Sequence, residues 1–113
     1  MSKHDPDVSL HQILAYASEA VEITKGKTRQ DLDRDRLLNL AITRLVEMLG
    51  EAANRVPEAI RTQYPDLPWF QMIAARNRLI HGYDSVDFDI LWAIIKNDLP
   101  ILIARLKEIL GTT

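Results

Sequence analysis

Residues 76–83, which read Arg-Asn-Arg-Leu-Ile-His-Gly-Tyr, bring together side chains that can act on a phosphate group. An imidazole titrates near neutral pH as a side-chain type, so His81 is a candidate to accept or donate a proton. The guanidinium of Arg76 can bind two phosphate oxygens at once and stabilise negative charge that develops on them. Asn77 can orient His81 or bind a phosphate oxygen, and Tyr83 carries a hydroxyl. Taken alone, His81 is also explained as a helix-terminal histidine and Tyr83 as a ring that packs on the bundle.

The spacing of these residues sets a geometric condition on any shared site. If the segment were helical throughout, Asn77 and His81 would lie about 40° apart around the helix axis and Arg78 and His81 about 60° apart. Arg76 and His81 would lie about 140° apart, on different faces. Arg76 and His81 can therefore meet at one phosphate only if the helix ends by His81 or if two subunits form the site together.

Other candidate residues have simpler explanations. Glu51 lies among small residues, and we predict that it is buried in an ion pair with an arginine; a second possibility is that it orients Arg76 or Arg78. Neither His4 nor His11 has a histidine or carboxylate at the spacing of a zinc site, and no metal site is predicted. Helix capping explains three further carboxylates better than cation binding does: Asp84, Asp87 and Asp89.

Composition points to one soluble helical domain over residues 1–113. Hydrophobic residues make up 47% and charged residues 27% of the chain, whereas aromatic residues make up only 6% and glycine is rare. These values favour helices over β-structure. The chain contains no cysteine, which excludes disulfides and thiolate metal sites. We find no signal peptide and no apolar run near the roughly 20 residues of a membrane span, so we expect a cytoplasmic protein.

Hydrophobic periodicity predicts five helical stretches, over residues 7–25, 31–53, 57–64, 68–81 and 90–110. Gly26 is expected to cap the first, and Pro100 to kink or split the last. Gly50 lies inside the second helix at a cost of about 1 kcal/mol relative to alanine, which indicates close contact with another helix. Trp69 is expected in the core. Short loops between long helices predict an antiparallel bundle of four to five helices, and surplus apolar surface predicts a homodimer.

The chain resembles a known family in residues 76–83 and in several other stretches. The Arg76-x4-His81 spacing followed by Gly-Tyr fits the Arg-x(4–6)-His motif of the HEPN superfamily, and specifically the HepT family, whose partners are minimal nucleotidyltransferases. Supporting stretches are Leu-Gly-Glu-Ala-Ala at 49–53, Arg-Val-Pro at 55–57, Tyr-Pro-Asp-Leu-Pro-Trp at 64–69 and Asn-Asp-Leu-Pro at 97–100. The resemblance covers nearly the whole chain, and it is strongest over residues 37–110.

This resemblance implies a function and a set of partners. HepT-like proteins are helical dimers that act as metal-independent endoribonuclease toxins in type VII-like toxin–antitoxin systems. The resemblance implies that Arg76 and His81 form the catalytic pair, with no cofactor, and that tRNA or mRNA is the substrate. It also implies that the partner nucleotidyltransferase neutralises the toxin by attaching AMP to Tyr83, which would place bulk and negative charge beside the site. Arg78 then either follows the RNA backbone or forms a salt bridge across the bundle.

Two other interpretations stay open at the level of sequence. The net charge of −2 and the pI near 5.9 do not indicate a globally basic nucleic-acid-binding protein. This favours, slightly, a non-catalytic helical module that binds the nucleotidyltransferase or a nucleotide. A metal-dependent nuclease is a third, weaker hypothesis.

Overall fold

The computed structural model describes the backbone of residues 6–81 and 85–111 and the side chains of residues 7–75 and 86–111. Within these ranges the predicted all-α class is confirmed, apart from one hairpin of two-residue strands. The elements in chain order are α1 (Pro6–Ile23), α2 (Asp31–Arg34), α3 (Arg36–Arg55), α4 (Glu58–Arg61), α5 (Trp69–Leu79), β1 (Ile80–His81), β2 (Ser85–Val86), α6 (Phe88–Ala93), a π-helical segment (Ile94–Asp98) and α7 (Leu99–Leu110).

Helix α1 buries the face that its periodicity predicts. Leu10, Ile13, Ala17 and Ala20 are all buried in the core. The helix ends at Ile23, and Gly26 follows with a φ of 74°, a left-handed conformation that glycine adopts without steric penalty. The predicted end at residue 25 with Gly26 as the cap is therefore wrong by two residues, because residues 24–26 form a turn after the helix and Gly26 lies in that turn.

The prediction of one continuous helix over residues 31–53 is wrong, because Asp35 interrupts it. Asp35 is extended, with φ −105° and ψ 97°, and its Oδ1 accepts a hydrogen bond from the backbone N–H of Leu38 at 3.1 Å. Aspartate is a poor residue for a helix interior and a good N-cap, so the chain stops α2 and starts α3 here. The apolar spacing of this stretch also predicts Leu37 and Ala41 on its buried face, whereas both are exposed.

The last helical stretch is distorted before Pro100 rather than at it. In the π-helical segment the backbone N–H of Leu99 donates to the carbonyl of Ile94, five residues back. Pro100 occupies the first turn of α7, where its missing N–H does least harm. The helix therefore changes its hydrogen-bonding pattern before the proline. The distortion predicted as a kink at Pro100 is this π-helical segment.

The long helices form a bundle with one open edge. Helix α1 packs on α3 and α7, and α3 packs on α5, whereas α5 and α7 share at most marginal contact along their described backbones. A single hydrophobic core runs through these helices and includes Leu32, Leu67 and Leu91 from the shorter elements. No helix among the described residues is both long and apolar enough to cross a bilayer.

Candidate active site

The loop before α5 fixes where this helix starts. Leu67 is 4% exposed and anchors the loop in the core. The indole Nε1–H of Trp69 donates to the carbonyl of Tyr64 at 2.9 Å, and the N–H of Met72 donates to the carbonyl of Pro68 at 2.9 Å. The prolines at both ends of the loop prevent helix formation inside it. Trp69 is half-buried against the core, which agrees with its predicted structural role.

Close contact with α3 then sets the position of α5. A Cβ added to Gly50 would lie 2.7 Å from the backbone carbonyl oxygen of Met72, closer than real Cβ atoms come. Glycine is therefore required for α3 and α5 to approach this closely, as its position in the sequence predicted. The contact lies four residues before Arg76, so it fixes the helix that carries the first residue of the motif.

The chain leaves α5 through a short hairpin. Ile80 pairs with Val86 and His81 pairs with Ser85 in an antiparallel register. Directly afterwards, Asp87 caps α6: its Oδ1 accepts the N–H groups of Asp89 and Ile90 at 3.0 and 3.1 Å. The predicted N-cap role of Asp87 is confirmed. The strand that pairs with His81 is thus joined at once to a capped helix.

An ion pair attaches the start of α6 to the loop between α1 and α2. The Arg29 Nε–H donates to Asp89 Oδ1 at 2.6 Å, and Arg29 also pairs with Asp33 at 3.2 Å. Its guanidinium lies 5.8 Å from the centre of the Phe88 ring. The hydrogen bond to Asp89 raises the pKa of Arg29. Sequence analysis missed this contact, because residues 60 positions apart leave no local pattern.

The structure revises the geometry of the predicted motif. Arg76, Asn77 and Arg78 belong to α5, whereas His81 lies in β1, beyond the end of the helix at Leu79. The prediction that the helix continues to residue 80 or 81 is wrong, so helical angles cannot relate His81 to the arginines. The condition set by the sequence, that the helix must end by His81, is met. The side chains of these four residues, and Tyr83 altogether, lie outside the described part of the chain.

Glu51 is not buried as predicted. It is exposed on α3, and its Oε1 lies 3.5 Å from Arg44 Nη1. The part of the prediction that gave Glu51 an arginine partner is confirmed, but an exposed pair of this kind contributes little stability. The predicted link from Glu51 to Arg76 or Arg78 involves side chains outside the described residues.

The described side chains include no candidate metal centre. In residues 7–75 and 86–111, no group of three or more His, Asp or Glu side chains is arranged to hold a metal ion. His11 is exposed, and its Nδ1–H donates to the carbonyl of Asp7 at 2.7 Å, as a surface histidine does. The junction of α5 and β1 carries the backbones of Arg76, Asn77, Arg78 and His81.

Comparisons with known proteins identify the family of the chain. The profile of the family described as ribonuclease HepT-like matches residues 13–109. The putative RNase MJ1380 of Methanocaldococcus jannaschii is 35% identical over 100 residues, which cover 88% of this chain and 92% of that protein. The probable ribonuclease HepT of Thermococcus cleftensis is 32% identical over 96 residues, covering 81% of this chain and 87% of that protein.

A bacterial relative is similarly close. The putative RNase TTE0752 of Caldanaerobacter subterraneus subsp. tengcongensis is 33% identical over 105 residues, covering 93% of this chain and 94% of that protein. No solved structure matches the chain. The chain belongs to the HepT-like ribonuclease family, and its enzyme class is endoribonuclease.

Proposed function

We propose that this chain, acting as a single helical domain, is the metal-independent endoribonuclease toxin of a type VII-like toxin–antitoxin system. Arg76 and His81 are the catalytic pair in this proposal. The observation that carries it is the end of α5 at Leu79, with His81 in the strand that follows. Because the helix ends before His81, Arg76 and His81 are not fixed on different faces of one helix. The Gly50 contact positions α5 before this break, and the capped α6 follows the hairpin after it.

The proposed reaction uses the ribose 2′-hydroxyl of the RNA as an internal nucleophile. His81 acts in proton transfer, either as the base that takes the 2′-hydroxyl proton or as the acid that protonates the leaving 5′-oxygen. Arg76 stabilises the negative charge that builds up on the phosphate. Asn77 orients His81 or binds a phosphate oxygen, and Arg78 supports RNA binding. No metal ion takes part in these steps.

We further propose that a homodimer completes the site. Gly50 faces Met72, and α5 returns antiparallel to α3, so the N-terminal half of α3 lies at the same end of the bundle as the end of α5. At this end Leu37 is 80% and Leu40 is 48% exposed. An exposed apolar stripe on a helix supports contact with a second copy. A two-fold axis here would bring two copies of the motif together, with one His81 as base and the other as acid.

Control of the toxin rests, in this proposal, on a cognate minimal nucleotidyltransferase that attaches AMP to Tyr83. Tyr83 follows His81 by two residues, so a nucleotide on its hydroxyl would lie next to the catalytic histidine. The added phosphate would repel the RNA backbone, and its bulk would exclude the substrate. Cellular tRNA or mRNA is the proposed substrate of the unmodified enzyme.

The test compares the purified, AMP-free chain with two histidine variants in excess chelator. His81→Ala should lower the rate of RNA cleavage at least about 100-fold, the usual contribution of acid–base catalysis. His11→Ala is the matched control and should keep full activity, because His11 is an exposed surface residue. In cells, His81→Ala should abolish growth arrest, and co-expression with the nucleotidyltransferase should add AMP units to the intact mass of the wild type but not of Tyr83→Phe.

Two results would contradict the proposal. If the wild type leaves tRNA and mRNA intact and His81→Ala affects growth as the wild type does, the chain is a non-catalytic interaction module. If chelator abolishes cleavage, the reaction depends on a metal ion.

A further inference from the structure

The open edge of the bundle contains a large groove that the proposed catalysis does not use. The groove lies between α5 and α7, beside the loop at residues 64–68, and has a volume of about 1020 Å³. Val46 and Leu49 of α3 contribute to its lining, together with Met72 of α5 and Leu102 of α7. All four are core residues, so the groove opens directly onto the core.

The groove lies where a closed bundle would place a further helix between α5 and α7. Neighbouring helices in a closed bundle lie 8–10 Å apart and interlock along their length. Here α5 and α7 share at most marginal contact along their described backbones. The lining extends from Asp98, the last residue of the π-helical segment, to Glu108 of α7, which corresponds to about 15 Å, or roughly three turns of a docked helix. Ile101 lines the groove and is 74% exposed.

The charges around the groove restrict what can occupy it. Among its described residues, three carboxylates line it, from Asp66, Asp98 and Glu108, against one guanidinium from Arg105, so the described lining carries a net charge of −2 at neutral pH. Arg105 is already hydrogen-bonded to Asp66, and this bond lowers the pKa of Asp66, so that carboxylate stays ionised. An RNA backbone would be repelled by this lining. Two copies joined through the same groove would also bring like charges together.

We propose that this groove binds one amphipathic helix of a different protein, with lysine or arginine residues flanking its apolar stripe. The apolar stripe would complete the bundle, and the flanking cations would face the carboxylates of the groove. The floor of the groove includes Ala75, the residue before Arg76. A bound helix would therefore contact the turn of α5 that leads into the motif.

The test uses a fluorescently labelled 18-residue helical peptide of Leu, Ala and Lys, with an otherwise identical peptide that carries Glu in place of Lys. Binding is followed by fluorescence anisotropy, and RNA is absent, so the outcome does not depend on whether the chain is a ribonuclease. The basic peptide should bind at least tenfold more tightly than the acidic one. Ala104→Trp, which fills the groove from an exposed position of α7, should weaken binding at least tenfold.

Charge variants locate the binding to the groove. Glu108→Lys should weaken binding of the basic peptide and strengthen binding of the acidic one. Glu58→Lys makes the same charge change at an exposed position of α4 outside the lining, and it should alter binding less than twofold. Circular dichroism and thermal unfolding check that each variant is folded.

Three outcomes would overturn the proposal. In the first, Ala104→Trp and Glu108→Lys bind the basic peptide as the wild type does, or Glu58→Lys weakens binding as much as Glu108→Lys. In the second, sedimentation shows that Ala104→Trp converts a wild-type dimer to monomers, which makes a second copy the occupant. In the third, a separate titration without peptide shows that Ala104→Trp weakens binding of a labelled single-stranded RNA of 20 nucleotides as much as it weakens peptide binding, which makes RNA the occupant.

Discussion

The contact between Gly50 and Met72 gives the sharpest test of how this fold positions the motif. Replacing Gly50 with alanine places a methyl group 2.7 Å from the carbonyl oxygen of Met72. That oxygen belongs to the backbone of α5, so no side chain can rotate away to make room. The two helices must move apart or bend.

The size of the effect follows from two opposing contributions. Ordinary contact begins near 3.4 Å, so α5 has to recede by about 0.7 Å. A gap of this size loses roughly a quarter to a half of the dispersion attraction between facing atoms, and overpacking of this kind costs about 1–3 kcal/mol. Alanine recovers about 1 kcal/mol in helix propensity. We expect Gly50→Ala to lower the free energy of unfolding by about 1 kcal/mol, equivalent to a fall in Tm of roughly 4 °C.

Urea and thermal unfolding followed by circular dichroism measure this change. Ala41→Gly, at an exposed position of the same helix, is the matched control and reports the propensity difference alone, a loss of about 1 kcal/mol. Gly50→Leu should destabilise more than Gly50→Ala, because it adds volume at the same contact. The reasoning is refuted if Gly50→Ala raises stability by as much as Ala41→Gly lowers it.

Two carboxylates give further predictions. Asp35→Ala should lower stability by about 1 kcal/mol in urea unfolding, because the N–H of Leu38 loses its cap, and Asp35→Asn should retain most of the stability; equal losses would contradict this. The hydrogen bond from Arg105 lowers the pKa of Asp66, so this pair stabilises the fold above the ordinary pKa of 3.8 and less as the pH falls through the lowered pKa. The Tm difference between the wild type and Asp66→Asn should shrink below pH 3.8, and a difference independent of pH would exclude this explanation.

Local sequence patterns predicted those parts of the fold that depend on local interactions. The apolar spacing of α1, the cap at Asp87 and the proline-bounded loop before α5 all followed from residues a few positions apart. The close approach at Gly50 was also predictable, because glycine inside a helix is costly without a reason. The break at Asp35 was missed because the apolar period continues on both sides of it, so capping overrode periodicity at one residue.

Long-range contacts could not be predicted in the same way. The pair between Arg29 and Asp89 depends on how the chain folds back, and the exposure of Glu51 depends on which face of α3 meets α5. The motif itself was identified from residue types and spacing, but its helical geometry was not. The strand at His81 requires a partner four residues later in the chain, and a two-residue strand has no periodicity to detect.

The surroundings of α5 explain how one helix can both position a motif and respond to a partner. One side of α5 is fixed by a backbone contact at Gly50 that no side chain can adjust, so this helix cannot shift toward α3. Its side toward α7 borders the open groove, which Met72 and Ala75 help to line. The Gly50 contact therefore blocks movement of α5 toward α3, and a helix bound in the groove would also restrict its movement toward α7. Any coupling between the groove and Arg76 would thus depend on the position of α5, because Ala75 of the groove lining and Arg76 are adjacent residues of this helix.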